Sequence, residues 1–170
     1  MTREQLFLQL LSDDLHTLHA SALALEKDLN RLSREIESHN IDSLSGLVAR
    51  INCVGFTPIE AMLREAGIPE SRDGSEPQAV LNGVLAEAGE KIRRAETSRL
   101  GVAGAISIMR RAARYMEMYC SSVADSALRL RLDGLSDHLR AWAREWIGLE
   151  LNLNAFAARP RIQEQVFAAA

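Results

Sequence analysis

The chain has 170 residues, of which 47% are hydrophobic, 5% aromatic and 25% charged, and its formal net charge is −3. This composition fits one globular domain with an aliphatic core, and it excludes a low-complexity or disordered chain. Acidic and basic residues are interspersed, so we expect neither nucleic acid nor an anionic membrane among its partners. No apolar run approaches the roughly 18 residues that a membrane-spanning helix needs.

The N-terminus and the cysteines favour a cytoplasmic location. Thr2 and Gln5 have the spacing of a capping box, which is typical of a helix start and not of a signal peptide. Cys53 and Cys120 are far apart and belong to no disulfide or metal pattern. We expect both to be reduced, buried residues in a reducing compartment.

The first segment carries hydrophobic residues that alternate at intervals of four and three. This seam consists of Leu11, Leu15, Leu18, Ala22, Leu25, Leu29, Leu32 and Ile36. Such spacing gives one continuous apolar stripe, typical of a helix packed nearly parallel or antiparallel to its neighbours. The pattern predicts a helix from about Arg3 to Glu37, followed by a turn at 38–42.

The second segment contains a helix interruption. Its apolar face consists of Leu44, Leu47, Val48, Ile51, Val54, Ile59 and Met62. Pro58 lacks the N–H that a helix interior needs, whereas Thr57 as N-cap, Pro58 as first residue and Glu60 would open a new helix. We therefore expect this helix to be kinked or split between Gly55 and Pro58.

After a loop at 67–74, three more helical segments follow. Ser75 and Gln78 predict the start of a short helix whose apolar face is Leu81, Leu85, Ala88 and Ile92. A break is expected near 97–101. The next seam is Val102, Ile106, Met109, Ala113, Met116, Cys120, Val123 and Ala127. The last, after a turn within 125–134, is Leu128, Leu132, Leu135, Leu139, Trp142, Trp146, Leu149, Leu153 and Phe156.

These segments predict an all-α protein. Residues 1–158 would form an antiparallel four-helix bundle with one extra short helix and a kinked or split second helix. Pro160 would end the last helix, which leaves residues 159–170 as a C-terminal tail.

The seams contain none of the residues that a metal site in such a bundle requires. Dinuclear sites use inward carboxylates and Glu-x-x-His pairs, yet none of the four long seams contains Asp, Glu or His. His16 and His19, with Asp13, could share a cation at the surface, but they lie off the seam and we expect solvated or flanking side chains. We predict no catalytic, cofactor-binding or metal-binding residue and no cofactor.

Arg110, Arg111 and Arg114 form a basic group on the fourth segment. They are the candidate face for binding an acidic partner or a phosphate. The alternative is an ordinary solvated helix face whose arginines form ion pairs with nearby acids.

The order and spacing of several residues resemble the YciE/YciF group of bacterial ferritin-like proteins, which are associated with stress responses. The resemblance covers roughly residues 6–156. It depends on Leu6-Phe7 and Leu10-Leu11-Ser12-Asp13, on Gly83 with Ala88, Ile92 and Glu96, and on Tyr115. It implies a ferritin-like fold.

The resemblance also implies that the family's dinuclear metal site does not carry over. The positions of the metal-binding carboxylates and histidines are occupied here by Leu18, Arg50, Ile51, Gly55, Ala113, Arg114, Met116 and Trp146. Most of these are seam residues by periodicity alone, so an apolar interior is expected at the place of the former site.

Three functions remain open at this point. The first is a metal-free, non-enzymatic structural or protein-interaction bundle, which the resemblance and the surplus of off-seam apolar residues suggest is a homodimer. The second is a di-iron or di-manganese protein or oxidoreductase with ligands such as Asp13, His16, His19 and Glu145. The third is a small-molecule-binding bundle with a pocket near Gly55, Pro58 and Trp146.

Overall fold

The computed structural model describes residues 2–38, 45–46, 48–49, 51, 58–68, 76–95 and 98–158. Within these ranges the chain is all-helical, as predicted. The helices whose first and last residues the structure gives are α1 (Arg3–Ser38), α2 (Pro58–Glu65), α3 (Val84–Arg94), α4 (Ser98–Arg129) and α5 (Asp133–Ala157). The described residues within 45–51 are helical as well. No helix in the described ranges is both long and apolar enough to cross a membrane.

The predicted seam of α1 is confirmed. All eight of its residues are at most 2% exposed, so the helix presents one continuous apolar stripe to the core. The capping box is also present: the N–H of Gln5 donates to Thr2 Oγ1 at 3.2 Å, and the N–H of Thr2 donates to Gln5 Oε1 at 2.8 Å. These two bonds satisfy backbone groups that a helix start leaves without partners.

Helices α4 and α5 form an antiparallel pair. Arg140 of α5 contacts Asp125 of α4 at 3.1 Å, and Glu150, further along α5, contacts Arg114, which comes earlier on α4. The predicted seam of α4 is buried throughout. Seam residues of α5 from Leu135 to Leu153 are also buried, so the two stripes share one core.

The turn between α4 and α5 lies at residues 130–132, within the predicted range. Arg131 has a left-handed backbone with φ of 60°, and the N–H of Leu132 donates to the carbonyl of Ala127 at 3.0 Å. This is a common way to close a helix C-terminus. The placement of Leu128 on the last seam was wrong, because Leu128 belongs to the final turn of α4 and is 45% exposed.

Helix α2 begins at Pro58, the predicted first helical residue. The preceding residues 52–57, including Gly55 and Thr57, lie outside the described part of the chain. Two histidine–glutamate contacts join α2 to its neighbours. His19 Nε2 of α1 lies 3.9 Å from Glu60, and His138 Nδ1 of α5 lies 2.7 Å from Glu65.

The predicted start of the third helix was wrong. Residues 76–83 form no helix, and α3 begins at Val84. The backbone N–H of Gln78 donates to Ser21 Oγ of α1 at 2.9 Å, and Gly83 has a left-handed φ of 75°. The segment is therefore held against α1 in a non-helical conformation, and Ser75 lies outside the described residues.

Helix α3 runs along α1 in the same direction. Ser21 contacts Gln78, Asp28 contacts the start of α3, and Glu35 forms an ion pair with Arg93 near its end. These three residues of α1 are spaced by seven, so they form one polar row beside the apolar seam. We call Ser21, Asp28 and Glu35 the docking row.

Asp28 acts at the N-terminus of α3, which lacks a local side-chain cap. Its carboxylate lies near the backbone N–H groups of Leu85 and Ala86, whereas Gly83 at the N-cap position makes no side-chain cap. Burial raises the pKa of Asp28, and the attraction of the Ala86 N–H opposes that rise. A carboxylate of one helix therefore faces the positive end of another.

We predict that Asp28→Ala lowers the free energy of unfolding by about 1 kcal/mol, because it removes the carboxylate that faces the N-terminus of α3. Urea denaturation would measure the loss. Glu26→Ala, an exposed acid on the same helix, is the control and should change stability little. Equal effects from the two substitutions would contradict the capping role of Asp28.

Candidate functional site

The interior positions named by the family resemblance are filled with apolar side chains. Leu18, Ile51, Ala113, Met116 and Trp146 are each at most 2% exposed and belong to one core. Of the other three positions, Arg114 lies on the outer surface of α4, and Arg50 and Gly55 lie outside the described residues. Trp142 and Trp146 also contact each other, with ring centroids 6.3 Å apart.

A charged side chain in this interior would destabilise the fold. An ionised carboxylate placed there would lose its hydration without gaining a partner, at a cost of several kcal/mol. Across the described ranges, no three His, Cys, Asp or Glu side chains approach closely enough to hold a metal ion together.

The candidate surface ligands do not converge on one point. His16 was expected to be solvated or at the flank, but it is buried. Its Nδ1–H donates to the carbonyl of Ser12 at 2.7 Å, which satisfies that end of the ring. His19 faces Glu60 on α2, whereas Asp13 accepts a hydrogen bond from Gln9 on its own helix. Glu145 is exposed on α5.

A half-buried polar cluster lies where α1, α4 and residue 78 meet. The Tyr119 hydroxyl donates to the carbonyl of Asp14 at 3.2 Å. Burial raises the pKa of both side chains. Burial also raises the pKa of the neighbouring Cys120 thiol, which therefore stays protonated and is a poor nucleophile. The cluster joins helices and presents no activated group.

Two arginines of the basic group on α4 contact different neighbouring helices. Arg111 forms an ion pair with Glu87 of α3 at 2.9 Å, and Arg114 forms one with Glu150 of α5 at 3.3 Å. Arg110 is half-buried. Both ion pairs are well exposed on the arginine side, so each contributes little to stability and both arginines can reach a partner.

Two shallow clefts lie between α3 and α4, one on each side of Glu87. The first, of about 290 Å³, is bordered by Val80, Asn82, Arg111 and Tyr115. The second, of about 390 Å³, is bordered mainly by charged side chains, which are Glu87, Glu90, Lys91 and Arg94. The pocket expected near Gly55 falls partly outside the described residues, and Trp146, which would border it, is buried in the core.

No model of a known protein family matches the chain, and no characterised protein matches it in sequence. The resemblance to the YciE/YciF group therefore stays a prediction.

We predict that Leu18→Glu lowers the free energy of unfolding by about 3–5 kcal/mol, because it buries a carboxylate without a partner. Leu23→Glu is the matched control, since Leu23 is 48% exposed on the same helix and should tolerate the same change. Chemical denaturation of both variants measures the difference. Equal losses at the two positions would show that Leu18 is not in a sealed apolar interior.

Proposed function

We propose that the protein is a metal-free helical bundle that acts as a structural or protein-interaction module and not as an enzyme. The observation that carries the proposal is the apolar packing at Leu18, Ile51, Ala113, Met116 and Trp146, each at most 2% exposed. In a bundle of this kind, reactive chemistry is built from side chains that project inward from facing helices. At these five positions the inward side chains are aliphatic, tryptophan or methionine.

The outer surface supports binding of a protein. Large apolar side chains are exposed beside charged ones on α4, notably Tyr115 and Met118 next to Arg111 and Arg114. Aromatic residues, methionine and arginine are enriched at protein interfaces, where they supply most of the contact energy. This face of α4, which contains the arginines singled out in the sequence, is the surface that we assign to the partner.

The proposal also covers the wider biological setting. A cytoplasmic location is supported by the free, buried thiol of Cys120. A bacterial source, a ferritin-like ancestry and a role in stress responses are supported by the resemblance alone. We propose all four as parts of one account, together with a homodimer as the working state.

The metal content of the purified protein tests the proposal. The protein would be expressed in medium supplemented with iron and manganese and purified without chelators or metal-bearing resins, then examined by elemental mass spectrometry. We expect iron and manganese at background level, because the described residues hold no group of three His, Cys, Asp or Glu side chains that could share a metal ion.

Near-stoichiometric iron or manganese would contradict the proposal and favour the oxidoreductase or iron-handling alternative. A co-purifying organic molecule, detected by mass spectrometry of the native protein, would favour the small-molecule-binding alternative, with the clefts beside Glu87 as its first candidate site.

A further inference from the structure

The α4–α5 pair carries large exposed apolar side chains on the face that points away from the core. Met118 is 55% exposed, Ile147 is 39% exposed and Leu151 is 62% exposed. We call these three residues the outer strip. Such a group on one face is unusual for a surface that contacts only water, and it marks a place where another molecule binds.

The ion pairs between α4 and α5 show that the outer strip is continuous. Met118 lies seven residues before Asp125 on α4. Ile147 lies seven residues after Arg140 on α5, and Asp125 and Arg140 are 3.1 Å apart. Because the helices are antiparallel and seven residues span nearly two turns, Met118 and Ile147 lie side by side.

The other end of the strip is bordered by a second ion pair. Arg114, one turn before Met118, contacts Glu150, which lies three residues after Ile147. Leu151 follows Glu150 directly. Met118 and Ile147 therefore lie between two ion pairs that both bridge α4 and α5, and Leu151 extends the apolar patch just beyond the second pair.

The charges along α4 are complementary to themselves. Arg111, Met118 and Asp125 are spaced by seven and share one face of the helix, with one charge about 10 Å to each side of Met118. If a second α4 packs antiparallel on this face with Met118 against Met118, Arg111 of each copy lies over Asp125 of the other. Opposite charges then meet at both ends of the contact.

We propose that the outer strip is the contact between two copies of this chain. The copies are related by a two-fold axis perpendicular to α4 and α5 that passes near Met118 and Ile147. Such an interface uses the same patch on both copies. A helix face that carries a basic residue on one side of its apolar centre and an acidic residue at the same distance on the other side fits this symmetry. The inference rests on the proposed function as an interaction module and names the partner of that module.

The test exchanges the two charges in separate variants of the full-length protein. In Arg111→Glu, the substituted residue of one copy lies opposite Asp125 of the other copy, so two acids meet. In Asp125→Arg, the substituted residue of one copy lies opposite Arg111 of the other copy, so two bases meet. Sedimentation velocity over a range of concentrations should show that each variant dimerises at least about tenfold more weakly than the natural chain.

An equimolar mixture of the two variants should form a heterodimer with an affinity close to that of the natural homodimer. In the mixed pair, Asp125 of one chain meets Arg111 of the other, and the two substituted residues also meet as opposite charges. A purely structural defect in either variant would not be repaired by mixing.

Two controls accompany this experiment. The intramolecular pairs Arg111–Glu87 and Asp125–Arg140 are largely exposed, so thermal unfolding of the separate variants should change little. Met118→Glu should also weaken the dimer, whereas Leu23→Glu, at a similarly exposed position on α1, should not.

A natural chain that is monomeric at every concentration would overturn the inference, as would single variants that dimerise normally or a mixture that fails to associate. A monomeric chain would also remove the homodimer from the proposed function. None of these results would affect the proposal that the interaction module is metal-free, which stoichiometric metal would overturn.

Discussion

The apolar seam along each long helix is the constraint on which the rest of the structure depends. On α1 it extends over 26 residues, from Leu11 to Ile36, without one polar side chain, and every member is buried. Burial of a leucine or isoleucine stabilises the folded state by about 1.5–3 kcal/mol. The aromatic content is low, so aliphatic stripes provide most of this stabilisation, and the described stripes of α1, α4 and α5 bring no acidic or basic side chain into the centre of the bundle.

Polar residues act at the flanks of the seams, where they set which segment packs against which helix. The docking row of Ser21, Asp28 and Glu35 receives the backbone of residue 78, the first turn of α3 and the side chain of Arg93 in that order. The contacts of Ser21 and Glu35 give polar groups a bonded partner. Asp28 places a carboxylate at the N-terminus of α3. A row spaced by seven can do this only because α3 runs parallel to α1.

The sequence predicted most of the helices but not these lateral contacts. Periodicity located α1, α4 and α5 because four-and-three spacing depends on residues close in the chain. It misplaced the start of α3, where the N–H of Gln78 bonds to Ser21, 57 residues earlier. No local pattern reports such a bond. It also misjudged His16, which is buried by neighbours that only the folded chain provides.

For the candidate site, the sequence was sufficient to predict the interior residues but not the contacts on the outer surface. Leu18, Ala113 and Met116 were predicted to be interior seam residues by spacing alone, and the structure buries them. The arginines of α4 were recognised as a group, but their division between Glu87 and Glu150 follows from the placement of α3 and α5. Likewise, the pairing of Met118 with Ile147 depends on the register between two helices, which periodicity does not give.

Apolar packing without a bound metal holds the core of the bundle together, and thermal unfolding with and without metal tests this most directly. A ligand that binds the folded state raises the midpoint as its concentration increases. The account predicts one midpoint for the protein in chelator, in ferrous iron and in manganese. A midpoint that rises with the concentration of either metal, and falls when chelator is added, would show that the folded bundle contains a metal site.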